Sequence, residues 1–173
     1  MTLPALDTLN GSDRAAFVAA IGWVFEHSPW VAERAWEQRP FPSLDRLHEA
    51  MAAVVAAASR EEQQQLLCAH PDLGSRARMT DASQGEQAGA GLDRLSREDY
   101  DQLQRLTAAY RARFGFPFLL AVKGSTIADV LSGLESRLPR REDDEFAEAI
   151  RQACRIARFR LDEYVGAGSS DLI

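Results

Sequence analysis

The sequence predicts an all-α protein: a single-domain helical bundle with one short extended segment at about residues 114–122. Three observations carry that expectation. Cap-forming serines recur ahead of runs whose apolar residues fall at three- and four-residue spacing. No two alternating runs are joined by a hairpin turn, and no strand–helix alternation occurs. With 173 residues, 46% of them hydrophobic, the chain can bury a core of its own without disulfides or metals. One domain over 1–173 is therefore expected, its core at about 9–165. A Gly/Ser-rich tail at about 166–173 is expected to be disordered.

Taken in order, Ser12 is placed to cap a first helix running to about Glu26, with Phe17, Ile21, Val24 and Phe25 inward. Ser28-Pro29-Trp30 restarts the chain into a short helix that ends before Arg39-Pro40-Phe41-Pro42. Ser43 caps a third helix carrying Leu44, Leu47, Met51, Val54 and Val55. Ser59-Arg60-Glu61-Glu62 is a capping-box pattern and opens a helix through Leu66 and Leu67. Pro71 disfavours helical geometry at the residue before it, so that helix stops at or just before His70. A second capping-box pattern, Ser83-Gln84-Gly85-Glu86, opens the next helix, and Ser96 a longer one through Leu103, Leu106 and Tyr110. The extended stretch Phe114 to Val122 contains Gly115 and Pro117. Ser125 starts a helix to about Arg137, and the last helix runs from about Glu142 to Tyr164.

Charge and composition exclude several function classes. The net charge of −6 argues against general affinity for nucleic acid or anionic membranes. No apolar run approaches the roughly 20 residues of a membrane span. Met1 to Ser12 lacks the basic and apolar parts of a signal peptide, and the two cysteines, Cys68 and Cys154, form no disulfide framework or zinc spacing. A cytoplasmic enzyme is the expected class. Lys123 is the only lysine, leaving one residue for Schiff-base chemistry, and nothing around it suggests a desolvated pocket.

Four features could carry chemistry. His70 follows a helix end and precedes a proline, which turns its ring away from the regular bundle. An imidazole with a reference pKa of about 6.5 exchanges protons at neutral pH, and a helix C-terminus favours its cationic form. A histidine that merely bonds a helix-end carbonyl explains the position equally well. His27 and His48 lie in polar contexts that fit surface positions. Glu86 fits the capping box without any catalysis, yet its helix contains Gly85, Gly89 and Gly91, a composition suited to close approach of a ligand. Arg160 falls on the apolar stripe of the last helix, with Phe146, Ile150, Ala153, Ala157 and Tyr164. A buried guanidinium needs an anionic partner, either a protein carboxylate or a substrate carboxylate. Finally, the non-helical 114–122 stretch has backbone groups that a heterocycle with ring N–H and C=O groups would satisfy. A metal site from His70, Asp72 and Glu86 has no supporting spacing, and a Cys68–His70 pair is geometrically awkward.

Together these pieces resemble the 2-oxo-4-hydroxy-4-carboxy-5-ureidoimidazoline (OHCU) decarboxylase family of urate breakdown. The resemblance lies in Ser28-Pro29-Trp30, Arg39-Pro40-Phe41, His70-Pro71-Asp72-Leu73-Gly74, Ser83-x-x-Glu86-Gln87, Phe114-Gly115-Phe116-Pro117-Phe118 and Arg160-Leu161, in family order over about residues 9–165. It implies an all-helical fold, a homodimer and catalysis without cofactor or metal. It places the catalytic pair on His70 and Glu86, and substrate-binding groups on Pro71, Ser83 and Gln87. The backbone of Phe118, Leu119, Leu120, Ala121 and Val122 and the Arg160 guanidinium complete the implied set. One departure stands out: many members carry an asparagine shortly after the Arg-Leu of the penultimate helix, where this chain has Pro139-Arg140-Arg141 after Arg137-Leu138. The activity implied is decarboxylation of the ureidoimidazoline to (S)-allantoin. The alternatives are a non-catalytic helical module that binds a small anion or partner protein, and a lyase for a related ureido or hydroxy acid.

Overall fold

The computed structural model describes residues 4–74 and 81–165. The expected disordered tail at 166–173 thus lies outside the described residues. Among those described, the chain forms nine α-helices and no β-strand, as the apolar periodicity predicts. They divide into two compact units, residues 1–66 with 154–173 and residues 67–153.

The first unit begins with α1 (Leu6–Gly11), too short for periodicity to reveal, and α2 (Arg14–Ile21). Asp13, not Ser12, caps α2, accepting from the Ala16 N–H at 2.8 Å, while the Ser12 hydroxyl turns back to the Leu9 carbonyl. Nor does this helix reach Glu26. It ends at Ile21, and Gly22–Val24 is a 3-10 turn. A Cβ at Gly22 would stand 3.1 Å from Val18 Cγ1 and 3.2 Å from the ring of the returning Pro29, so a side chain there would be crowded. Phe17, Ile21, Val24 and Phe25 are buried as expected.

Helix α3 (Trp30–Ala35) passes through a 3-10 turn, Trp36–Gln38, into the Arg39-Pro40-Phe41 motif. That motif proves to be scaffolding. Arg39 Nη1 donates to the Asn10 and Ser12 carbonyls at 2.6 and 2.7 Å, and Asn10 exchanges two hydrogen bonds with the Phe41 backbone. Ser43 caps α4 (Leu44–Ala57), whose Leu47, Met51 and Val55 enter the core while Leu44 and Val54 stay half-buried. His48, read as a surface residue, is half-buried and bonds the Cys154 carbonyl at 2.8 Å.

The capping box at α5 (Arg60–Cys68) forms in both directions. The Ser59 N–H donates to Glu62 at 3.0 Å and the Glu62 N–H donates to the Ser59 hydroxyl at 3.2 Å. The helix stops at Cys68, before His70, as Pro71 requires.

In the second unit, α6 (Asp81–Gly89) starts two residues before the expected cap, so Ser83 and Glu86 lie inside the helix rather than at its mouth. Asp81 supplies the first-turn carboxylate that favours a helix N-terminus, and the Ser83 hydroxyl is buried. Helix α7 (Arg97–Phe114) is capped by Ser96 and ends at Gly115 in the left-handed conformation, so Phe114 is helical and the non-helical stretch starts one residue later than expected. Thr126, not Ser125, caps α8 (Ile127–Arg137), and its reciprocal box with Asp129 accounts for the choice. Helix α9 has the expected bounds, Glu142–Tyr164. The core of this unit is an aromatic cluster. Tyr110 packs within 4.6 Å of Phe114 and 5.2 Å of Phe118, and Phe116 lies 5.5 Å from Phe146.

Candidate active site

Most of the predicted site residues belong to the second unit: His70, Pro71, Ser83, Glu86, Gln87 and the 118–122 segment. Three ties organise the loop that carries His70. The Gly74 N–H donates to Gln87 Oε1 at 2.9 Å, which joins the loop to α6. Asp72 accepts both of its bonds from Arg111 Nη1 on α7, at 2.9 and 3.0 Å. The Cys68 thiol reaches the Gly115 carbonyl at 3.5 Å, linking the end of α5 to the start of the aromatic stretch.

The loop's own geometry depends on Gly74. Its φ is +68°, and a Cβ there would stand 2.6 Å from Leu103 Cδ2, in a leucine that is itself fully buried. His70 is 6% exposed, so the loop delivers the imidazole into the protein rather than to its surface. A buried ring nitrogen is costly unless it is hydrogen-bonded.

On α6, Ser83 and Gln87 form the buried face at four-residue spacing, continued by Ala90 just past the helix end, and Glu86 is half-buried at its border. Gln87, assigned to substrate by the resemblance, has an observed role: its amide oxygen holds the His70 loop. A cavity of about 790 Å³ adjoins the same helix, lined by Gly74, Gln84, Gln87, Ala88 and Tyr100 among others. Gln84 and Glu86 lie about 160° apart around the helix axis, so Gln84 faces the cavity from the flank opposite Glu86.

The 118–122 segment is buried except at Leu120, which is half-buried. It has neither helix nor turn from Pro117 to Val122. Three of its backbone groups are already held: the Leu119 carbonyl by Arg137 at 2.7 Å, the Ala121 N–H by Gln152 at 2.9 Å and the Val122 carbonyl by the Ser125 N–H at 2.8 Å. The expectation that a ligand would satisfy this backbone applies to the groups that remain.

Arg160 belongs to the first unit and is 3% exposed on α9, as the helical stripe predicts. Its guanidinium meets the Glu26 carboxylate at 2.9 Å, in a residue 1% exposed. Sequence reasoning missed Glu26. The signal was faint, a lone acid two residues before the Ser28-Pro29-Trp30 motif, whose serine hydroxyl bonds the Glu26 carbonyl at 3.0 Å. Also missed was the buried Arg137–Glu145 pair, 2.5 Å at its closest. Among the described residues, no group of three His, Cys, Asp or Glu side chains is placed to hold a metal ion.

The all-helical architecture is shared with proteins of known structure. The chain is similar to the crystal structure of an (S)-allantoin synthase, with a TM-score of 0.78 and 30% identity, over 93% of this chain and 54% of that one. It is 51% identical to the 2-oxo-4-hydroxy-4-carboxy-5-ureidoimidazoline decarboxylase of Haloferax volcanii, over 91% of this chain and 94% of the relative. It is also 44% identical to the uric acid degradation bifunctional protein of Bacillus subtilis, over 92% of this chain and 32% of that protein. The family model described as OHCU decarboxylase matches residues 10–162. The chain belongs to the OHCU decarboxylase family.

Proposed function

We propose that the protein decarboxylates 2-oxo-4-hydroxy-4-carboxy-5-ureidoimidazoline to (S)-allantoin in urate degradation, with His70 and Glu86 as the acid–base pair. The observation that carries this reading is the Gly74–Gln87 bond, which fastens the loop of a buried His70 to the helix bearing Glu86. The names of the Haloferax and Bacillus relatives support the substrate and the pathway.

The substrate itself supplies the electron sink. Carbon dioxide leaves the carbon that carries the hydroxyl, and the bonding electrons form a C=C bond as the nitrogen of the adjacent C=N takes a proton from solvent. The hydroxyl then gives up its proton to become a carbonyl, and the neighbouring carbon takes a proton on one face. No redox step or external acceptor is required, and for that reason the proposal includes neither cofactor nor metal. His70 and Glu86 are the groups assigned to the proton transfers at the hydroxyl and at the carbon, and Arg160 to the substrate carboxylate. Ser83, Gln87, Pro71 and the 118–122 backbone are assigned to the ring and ureido groups.

The test is chiral detection of allantoin from freshly generated substrate. Wild type is expected to give the S enantiomer, and His70→Ala and Glu86→Ala to lose roughly 10²–10⁴-fold in kcat, the usual range for a general acid or base. Unchanged rates in both variants would sink the acid–base assignment. A wild-type protein that binds the substrate analogue without turnover would make the chain a binding module instead.

Two further parts of the proposal are location and assembly. No helix among the described residues is long and apolar enough to cross a membrane, and both cysteines are free thiols, which supports a cytoplasmic setting. The homodimer implied by the resemblance is tested by light scattering on the purified chain.

A further inference from the structure

Two helices converge on one edge of the 118–122 segment. Arg137, near the end of α8, donates from Nη1 to the Leu119 carbonyl at 2.7 Å. Gln152, on α9, accepts from the Ala121 N–H at 2.9 Å. In an extended chain, successive residues direct their N–H and C=O groups to opposite edges. Leu119 and Ala121 therefore point toward α8 and α9, and Leu120 between them points the other way. Among the described residues, no hydrogen bond reaches the Leu120 backbone, although its side chain is half-buried.

Both holding groups are themselves fixed, which a chance contact would not need. Arg137 is 5% exposed; its Nε donates to Glu145 at 2.6 Å, and its guanidinium lies 4.4 Å from the Phe118 ring centre. The Tyr110 hydroxyl donates to the same carboxylate at 2.5 Å. Burial, reinforced by Glu145, pushes the Tyr110 phenol above its ordinary pKa, so it stays a donor. The Gln152 amide is oriented by its other end, where Nε2 donates to Glu148 at 2.8 Å. Turned over, that amide would set its own N–H groups against the Ala121 N–H.

We propose that Arg137 and Gln152 are positioning residues for substrate binding: they hold one edge of the 118–122 segment so that the Leu120 peptide groups stand ready for the ring N–H and C=O groups of the ligand. The identity of that ligand rests on the ureidoimidazoline reading above. Neither side chain touches the substrate. Each acts through the backbone it holds, and pre-organising that backbone removes an ordering cost from binding.

The experiment compares wild type with Gln152→Leu, which keeps the approximate volume and deletes the acceptor. It also uses Glu148→Gln/Gln152→Glu, which exchanges the pair and restores an acceptor for Ala121. Gln152→Leu is expected to raise KM about tenfold or more with kcat changed by less than about threefold, the pattern of lost binding rather than lost chemistry. The exchanged pair is expected to recover most of that loss. Amide hydrogen exchange at Ala121 should accelerate in Gln152→Leu and slow again in the exchanged pair. Because Arg137→Ala removes the buried cation beside Glu145 and can unfold the chain, Arg137→Lys is the companion variant. A lysine cannot serve Glu145 and Leu119 together, so KM is expected to rise while the melting temperature shows a folded protein. An unchanged KM in folded Gln152→Leu overturns the proposal, as does a lowered melting temperature with unaltered kinetics. A wild type without turnover defeats the decarboxylase reading instead, and Ala121 exchange still decides whether Gln152 holds the segment.

Discussion

Arg160 shows how much one buried charge demands. It lies among apolar neighbours on α9, and Glu26 is its carboxylate partner at 2.9 Å. Arg160→Met is expected to cost about 3–5 kcal/mol, measured by urea unfolding, because the uncompensated Glu26 carboxylate stays buried. Adding Glu26→Gln should recover a substantial part, since the amide carries no charge to strand. The stripe on α9 made Arg160 legible: a charged residue at an apolar position asks for a partner. Its partner was not legible, because Glu26 lies 134 positions away in sequence and no local pattern links them. His70 divides the same way. The following proline fixed the helix end at Cys68, whereas the burial of the ring depends on the loop's ties to α6 and α7.

At the scale of elements, reciprocal caps gave one success and one failure. The Ser59–Glu62 box was readable because both partners lie within one turn. The Ser83–Glu86 pattern satisfied the same rule and failed: α6 starts at Asp81, and tertiary packing turned Ser83 inward. Identical local patterns thus gave a cap in one place and a buried helix face in another.

The α5 cap yields a pH prediction. Arg34, by hydrogen bond, and then the Ser59 N–H pull the Glu62 carboxyl from 4.5 down to about 2. Its folded-state pKa is depressed, so the stabilisation is fully present above about pH 4.5 and is lost as pH falls through about 2. The melting temperature of Glu62→Gln should accordingly lie below wild type at pH 6 and converge with it near pH 2. The His70 loop yields another. Gly74→Ala places a Cβ against fully buried Leu103 at positive φ, and is expected to cost about 1–3 kcal/mol. In the proposed mechanism it should also lower kcat, because the loop that shifts is the one holding the imidazole. Thermal melts and steady-state rates on the same preparation check both effects.

For the whole molecule, the chain divides into two compact units. Helices α5 and α9 each contribute residues to both units, and a helix is a cooperative element that does not melt at one residue. Calorimetry is therefore expected to give a single unfolding transition, with equal calorimetric and van't Hoff enthalpies. Two resolved transitions would show that the units unfold independently.

The sequence by itself determined the all-α class, the bounds of α9, the stop before His70 and the inward stripe bearing Arg160. All of these follow from interactions within a few residues: periodicity, caps and the geometry before proline. Only the tertiary structure decided that Glu26 meets Arg160, that Gln87 holds the His70 loop and that Arg137 and Gln152 grip the 118–122 backbone. Those pairings join residues between 13 and 134 positions apart, where chain folding selects the partner and sequence spacing carries no signal.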